Sequence, residues 1–392
     1  MIDGESMRAE DFTVNTPGRL VEIDSQGTVA FEPSLVPPEL VIDVELARMI
    51  GETERLLGRL DGRGRSLSTP FMLIQPFIRR EALASSRIEG TTAVIEDVLR
   101  FEAGDESSHD PDDVKEVLNY LRALQYGLQR PEERPVTAGF INELHQLILD
   151  DVRGAKRNPG RLRQIQVVIG KPGATAATAR FVPPPPAIIL GLLEQLLTWI
   201  NQEDALPDLL RLAVFHYQFE TIHPYEDGNG RLGRLLITLM LKDWGIMEYP
   251  LLYLSEYLEQ HRSEYLAHLL SVSQKGTWVS WIKFFLTAIQ SQAAYALETS
   301  TRLINYRESV RRRYQQGRTP AHLLNVVDQF FERAIQSTPT LAKQLRLSNE
   351  QIQRVLNRLI EDDIVREITN RERNRLFVAH EILAILKMHA EE

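Results

Sequence analysis

The stretch TIHPYEDGNGRLGRLLI, residues 221–237, decides how this chain is read. His223, Glu226, Asp227, Gly228, Asn229, Gly230, Arg231 and Arg234 crowd together before the sequence turns apolar. A segment made only for packing would not set so many polar groups beside so little apolar cover. Gly228 and Gly230 flank Asn229, and glycine enters backbone regions that other residues avoid, so successive amide N–H groups can converge on an anion. The run LGRLLITLMLKDW behind has helical spacing. The turn therefore heads a helix, where N–H groups without intrahelical partners and the positive dipole end favour phosphate. Arg231 and Arg234 fall in the first helical turn against the usual preference for acids there, and their forked donors match phosphate oxygens. The Asn229 side chain adds a donor. Asp227 stands just before the nest, as a carboxylate holding Mg²⁺ beside polyphosphate would. His223, at the end of the preceding helix, has an unperturbed pKa of about 6.5 that suits it to take a proton from a hydroxyl. Together these parts suit phosphoryl or nucleotidyl transfer.

The 392 residues are 43% hydrophobic and 25% charged, as expected of a globular protein with room for two or three domains. Cysteine is absent, which excludes disulfides, thiolate metal sites and a cysteine nucleophile. The start MIDGESMRAEDFTV is acidic and lacks an apolar core, so no signal peptide is expected, and no apolar run is long enough for a membrane span. A cytoplasmic location is expected. The formal net charge of -9 argues against nucleic-acid coating as the main task. Helical periodicity dominates: DVELARMIGETERLLGRL, DVKEVLNYLRALQYGL, TAGFINELHQLILDDV, AIILGLLEQLLTWINQ, LPDLLRLAVFHYQFETI and the long run from Trp278 to Gly317. Strand signals are few. QIQVVIG and ARFVPPPP, joined by KPGATAAT, predict a short hairpin or flap at about 165–183. The expected fold is mainly α, a helical bundle with a β-hairpin flap and a C-terminal winged helix-turn-helix. Its expected divisions are an N-terminal region over 1–110, a catalytic core over 111–300, and a linker helix with the C-terminal module over 301–392.

HPYEDGNGRLGR resembles the signature of the Fic family, His-Pro-Phe-x-Asp/Glu-Gly-Asn-Gly-Arg-x-x-Arg, with Tyr225 in place of phenylalanine. The resemblance implies transfer of AMP from ATP to a Ser, Thr or Tyr hydroxyl of a target protein, self-modification included. It implies His223 as base and Asp227 as the Mg²⁺ ligand. Gly228, Asn229 and Gly230 would form the anion hole, Arg231 would bind phosphate and Arg234 would meet the γ-phosphate. Tyr257 is a candidate for the adenine side of the pocket. EALASSRIEGTT contains Ser85, Glu89 and Gly90 in the spacing of the inhibitory motif of Fic proteins. Glu89 paired with Arg234 would exclude the γ-phosphate, making a switch between a paired and an ATP-competent state. The flap resembles the family's device for aligning a target backbone by strand addition.

At the C-terminus, TLAKQLRLSNEQIQRVLNRLIEDDIV reads as helix, turn and recognition-type helix, with Arg354 and Arg358 on one face and a wing carrying Arg371, Arg373 and Arg375. Acids are interspersed, so a protein contact or homodimerisation is weighed above DNA binding. Two other readings stay open: an ATP-sensing DNA-binding regulator, and removal of AMP from a modified protein at the same site.

Overall fold

The computed structural model describes residues 6–34, 40–65, 70–105, 110–131, 134–315, 322–369 and 375–387, and helix predominates. Two strands come first, β1 (Gly18–Glu22) and β2 (Val29–Pro33). Then follow α1 (Val44–Arg65), α2 (Pro70–Ile88), α3 (Ile95–Glu102), α4 (Pro111–Leu128), α5 (Ala138–Ile148), α6 (Ile189–Ile200), α7 (Asp208–Ile222) and α8 (Asn229–Asp243). After them come α9 (Ser255–Gln260), α10 (Arg262–Lys275), the 38-residue α11 (Trp278–Gln315) and α12 (Leu323–Glu332). The last stretch holds β3 (Ile335–Ser337), α13 (Thr338–Leu345), α14 (Asn349–Glu361), β4 (Arg366–Glu367), β5 (Leu376–Val378) and α15 (His380–Lys387). No helix is long and apolar enough to cross a membrane among the described residues.

The chain divides into two units, each gathered from separated stretches. The first holds Met1–Leu56, Asn119–Ile246 and Leu254–Ser291; the second holds Leu57–Leu118, Met247–Tyr253 and Gln292–Glu392. In the first unit α7 is the central rod. Thirteen of its fifteen residues are buried, as a helix that is apolar on every side must be. Helices α6, α8 and α10 and strand β2 pack against it. Trp281 of α11 donates its indole N–H to the Ala213 carbonyl at 2.9 Å, fixing α11 to the rod.

The predicted flap hairpin is reduced to one antiparallel bridge, Ile169 with Phe181. Its C-terminal limb runs into Pro183–Pro186, and proline has no N–H to extend a ladder. That limb instead gives its carbonyls to the N-terminal segment: Phe31 N–H reaches the Val182 oxygen at 2.9 Å and Met7 N–H the Ala179 oxygen at 2.8 Å. The full hairpin is β1–β2, registered from Gly18 opposite Pro33 to Glu22 opposite Val29. Its turn is an Asp24 side chain accepting the amides of Gln26 at 2.9 Å and Thr28 at 3.0 Å, with Gly27 at φ 80. Ala30, Ala179 and Val182 form a small core between hairpin and flap.

In the second unit the C-terminal stretch forms helix, turn and helix, then two strands, as its sequence predicts. Ser348 caps α14 in a capping box with Gln351, and Arg346 ends α13 at φ 54. A strand that periodicity did not signal, β3, completes an antiparallel sheet in the order β3-β5-β4. Ile352, Val355, Leu356 and Leu359 of α14 bury their face against Leu376, Phe377 and helices α12 and α15.

Candidate active site

Helix α7 ends at His223, which takes the left-handed conformation at φ 49, ψ 64. A non-glycine residue there carries strain on the order of 1 kcal/mol. The strain is held by what surrounds it. Pro224 forbids helix continuation, and the His223 amide reaches the Phe219 oxygen at 3.0 Å. The ring Nδ1 lies 3.2 Å from the Glu220 carbonyl oxygen. A carbonyl only accepts, so Nδ1 carries the proton and the lone pair of the neutral ring resides on Nε2.

Residues 225–229 close a tight ring. Tyr225 N–H donates to Asn229 Oδ1 and Asn229 Nδ2 donates back to the Tyr225 oxygen, both at 2.9 Å. The Asn229 side chain thus braces the turn on its own backbone. Gly228 sits at φ 77 before α8 starts at Asn229, and its N–H is turned 2.6 Å from Asp227 Oδ1. Helix geometry leaves the Asn229 and Gly230 amides without an acceptor inside α8. Arg231 and Arg234 follow, 3% and 2% exposed. Gly233 allows α7 and α8 to meet, since a Cβ there would lie 2.5 Å from Glu220 Oε1 and 3.1 Å from the Phe219 ring.

The Asp227 carboxylate is 40% exposed and its Oδ1 stands 3.6 Å from an Arg231 nitrogen. Among the described residues no cluster of three or more His, Cys, Asp or Glu gathers to hold a metal. One half-open carboxylate ahead of the α8 N-terminus fits Mg²⁺ shared with polyphosphate oxygens rather than enclosed in a protein cage.

Several residues that sequence reading passed over hold this turn. His145, fully buried on α5, stacks on Tyr225 with centroids 3.8 Å apart. Its Nδ1 accepts the Gly160 amide at 2.8 Å, so Nε2 bears the proton and donates to the Asp227 carbonyl at 2.9 Å. Burial lowers its pKa to about 4, with Arg231 adding to the shift against the Asp227 bond. The Tyr225 hydroxyl donates to Asn142 Oδ1 at 2.7 Å, which gives the tyrosine a reason to stand where the pattern has phenylalanine. Asn158 holds Glu226 at 2.8 Å, and Gly154 lies so near Asp227 Oδ2 that a Cβ would approach to 2.8 Å. Arg163, 1% exposed, donates to the His223 oxygen at 2.8 Å, and its amide reaches the Pro224 oxygen at 3.0 Å. One signal was legible: His145 lies on the same buried face of α5 as Ile141, Leu144 and Ile148, where a polar ring needs partners.

Tyr257 lies in the same unit on α9, half-buried, stacked on His261 at 4.0 Å and tilted against Phe284 at 5.7 Å. Ser85 is buried in the last turn of α2, in the second unit. Gly90, at φ 105, terminates that helix: its amide reaches Arg87 O and the Thr91 amide reaches Ser86 O, a Schellman arrangement. Glu89 is exposed and belongs to the second unit, Arg234 to the first. In the C-terminal module Arg358 lies 2.8 Å from Asp362 and 3.8 Å from Glu361, Arg366 pairs with Asp363 at 3.0 Å, and Arg375 bonds Glu367. Arg354 is exposed, and Arg371 and Arg373 lie outside the described residues.

Residues 135–241 match the Fic/DOC family and residues 47–129 the Fic/DOC family N-terminal domain. A probable protein adenylyltransferase of Aquifex aeolicus is 25% identical over 201 residues, covering 49% of this chain and 57% of that protein. The protein adenylyltransferase Fic of Drosophila grimshawi is 30% identical over 179 residues, 44% of this chain and 33% of that one. The chain thus spans between a third and somewhat over half the length of these curated relatives. Among solved structures, a Fic family protein from Desulfovibrio desulfuricans G20 superposes with a TM-score of 0.58 at 21% identity, covering 88% of this chain and 98% of that one. A Fic domain containing signaling protein from Bacteroides thetaiotaomicron gives 0.51 at 23% identity, covering 63% and 97%. At such identities the likeness is one of fold. The likeness to the Fic family thus covers two successive stretches of this chain, the N-terminal Fic match at 47–129 and the Fic match at 135–241.

Proposed function

We propose that this chain transfers AMP from ATP to a hydroxyl side chain of a target protein, self-modification included. The observation that carries this reading is the His223 imidazole, whose Nδ1 faces a carbonyl so that the lone pair lies on Nε2. It stands one short turn ahead of a helix start with two buried arginines. In the proposed step the target oxygen attacks the α-phosphorus, its proton passes to His223 Nε2, and the bond from that phosphorus to the bridging oxygen breaks, releasing pyrophosphate. The Asn229 and Gly230 amides with Arg231 stabilise charge developing on the phosphate oxygens, and Arg234 receives the γ-phosphate. Asp227 would hold Mg²⁺, which supplies neutralisation of α- and β-phosphate charge. Tyr257 is assigned to the adenine, and residues 165–183 to the target backbone.

We assign Glu89 the role of a brake that competes with the γ-phosphate for Arg234, with Ser85 and Gly90 as the other residues of the inhibitory motif. For the C-terminal module protein contact is favoured over DNA, because Arg358, Arg366 and Arg375 are already paired with acids. The test uses purified protein and ATP labelled at the α-phosphate. Label transfer is expected, raised by Glu89→Gly and reduced about 10²-fold or more by His223→Ala. Undiminished transfer by His223→Ala sinks the assignment of the base; unchanged ATP affinity and labelling in Glu89→Gly sink the brake. A gel shift on DNA that responds to ATP would favour the regulator reading instead.

A further inference from the structure

We infer that Arg163 is a positioning residue that couples the flap to the catalytic histidine, so that backbone alignment of a target and readiness of the base are one event. The inference rests on the proposed AMP transfer for its kinetic part only. Arg163 lies between α5 and the flap and is 1% exposed. Each hydrogen bond of its guanidinium goes to a main-chain carbonyl. Nε donates to His223 O at 2.8 Å, and one terminal nitrogen to Ile165 O at 3.1 Å. The other donates to Pro184 O at 2.6 Å and to Ile222 O at 3.5 Å. Two of these carbonyls belong to the end of α7 and the strained histidine. The other two are the entry and exit of the flap. The Arg163 amide adds a fifth link, to Pro224 O at 3.0 Å.

Only arginine has this reach. Its planar fork presents five donors in fixed directions, whereas a lysine offers three from one point. Burial lowers the Arg163 pKa to about 10, so the group stays charged at neutral pH, with carbonyl dipoles in place of a carboxylate partner. A carboxylate partner would have satisfied the charge locally. Four carbonyls from two segments make the charge depend on both segments being in place. Between entry and exit the two limbs of the flap share one backbone bridge, Ile169–Phe181, and one side-chain bond, from Gln166 Nε2 to the Pro183 oxygen at 2.8 Å, so Arg163 supplies two of the few links that join limb to limb.

The test is Arg163→Lys in the full chain, read by hydrogen exchange. The reporter amides are Ile169 and Phe181 in the flap and His223 and Tyr225 in the turn, each with a defined acceptor. Exchange is expected to quicken about tenfold or more at both pairs together. Affinity for a non-hydrolysable ATP analogue should hold within about twofold while self-labelling falls about 100-fold, since a misplacement near 1 Å is enough. A purely structural role would lower analogue binding and labelling in proportion to the folded fraction, and that outcome overturns the inference. So does quickening at only one pair, or at neither. If the lysine variant does not fold, native-state exchange of the unaltered chain across a urea series decides: one shared opening free energy for both pairs supports the coupling, two separate ones overturn it. If the unaltered chain transfers no AMP, the proposed function fails while the exchange result still judges Arg163.

Discussion

At the scale of single residues the site is a set of tautomers fixed by carbonyls and amides. His223 is protonated on Nδ1 and His145 on Nε2, each because the other partner can play only one role. His145 also sets a pH dependence. Its folded pKa of about 4 lies below the 6.5 of the free side chain, as does that of His216 at about 3. Between those values the unfolded chain binds protons that the folded chain refuses, so stability is complete above pH 6.5 and is lost as pH falls through that window. His145 alone accounts for about 3 kcal/mol of this loss. Urea midpoints measured from pH 7 to pH 4 should fall, and His145→Gln should flatten the slope; an unchanged slope refutes the assignment. The motif residues were legible because their chemistry is unusual for a packed turn. The ring that the Asn229 side chain closes was not legible, because sequence cannot tell a carboxamide aimed at a ligand from one bonded to its own backbone. The links of Arg163 to His223 and of Asn158 to Glu226 were not legible, since those partners lie 60 and 68 residues away.

At the scale of elements, helical spacing located α4 to α7 and α11 closely, because each buries one consistent face or, for α7, all of them. The hairpin was sought at 165–183, and the ladder formed at 18–33 instead. Alternation alone does not reveal which strand finds a partner, and four successive prolines removed the donors the flap needed. The meeting of α7 and α8 was also hidden, although Gly233 marks it. Gly233→Ala should displace the Glu220 carboxylate and press on the Phe219 ring, costing about 1–3 kcal/mol. It should also weaken binding of an ATP analogue, because α8 carries both arginines. Chemical denaturation and calorimetric titration check this, and a variant as stable as the parent would show the contact to be loose.

At the scale of the whole molecule, both units are assembled from stretches that alternate along the chain, which composition and linker signals do not foretell. The formal charge of -9 and the paired arginines of the C-terminal module predict weak association with duplex DNA and a shallow salt dependence, since few phosphates would be neutralised. Retention of tight binding near physiological ionic strength would contradict that. Phe31 ties the N-terminal hairpin to the flap through Phe181 at 5.8 Å and stacks on Phe12, ahead of β1, at 5.5 Å. Phe31→Ala should cost about 3 kcal/mol and speed exchange at Phe181, seen by mass spectrometry; protection equal to the parent's would free the flap from this support. The pairing of Phe31 with Val182 has a consequence for biosynthesis. A nascent chain leaves the ribosome at about 5–20 residues per second, so β2 waits roughly ten to thirty seconds for its partner to emerge. During that interval the hairpin has an open edge, and translation speed or a bound chaperone then governs whether the edge meets its own chain or a stranger's.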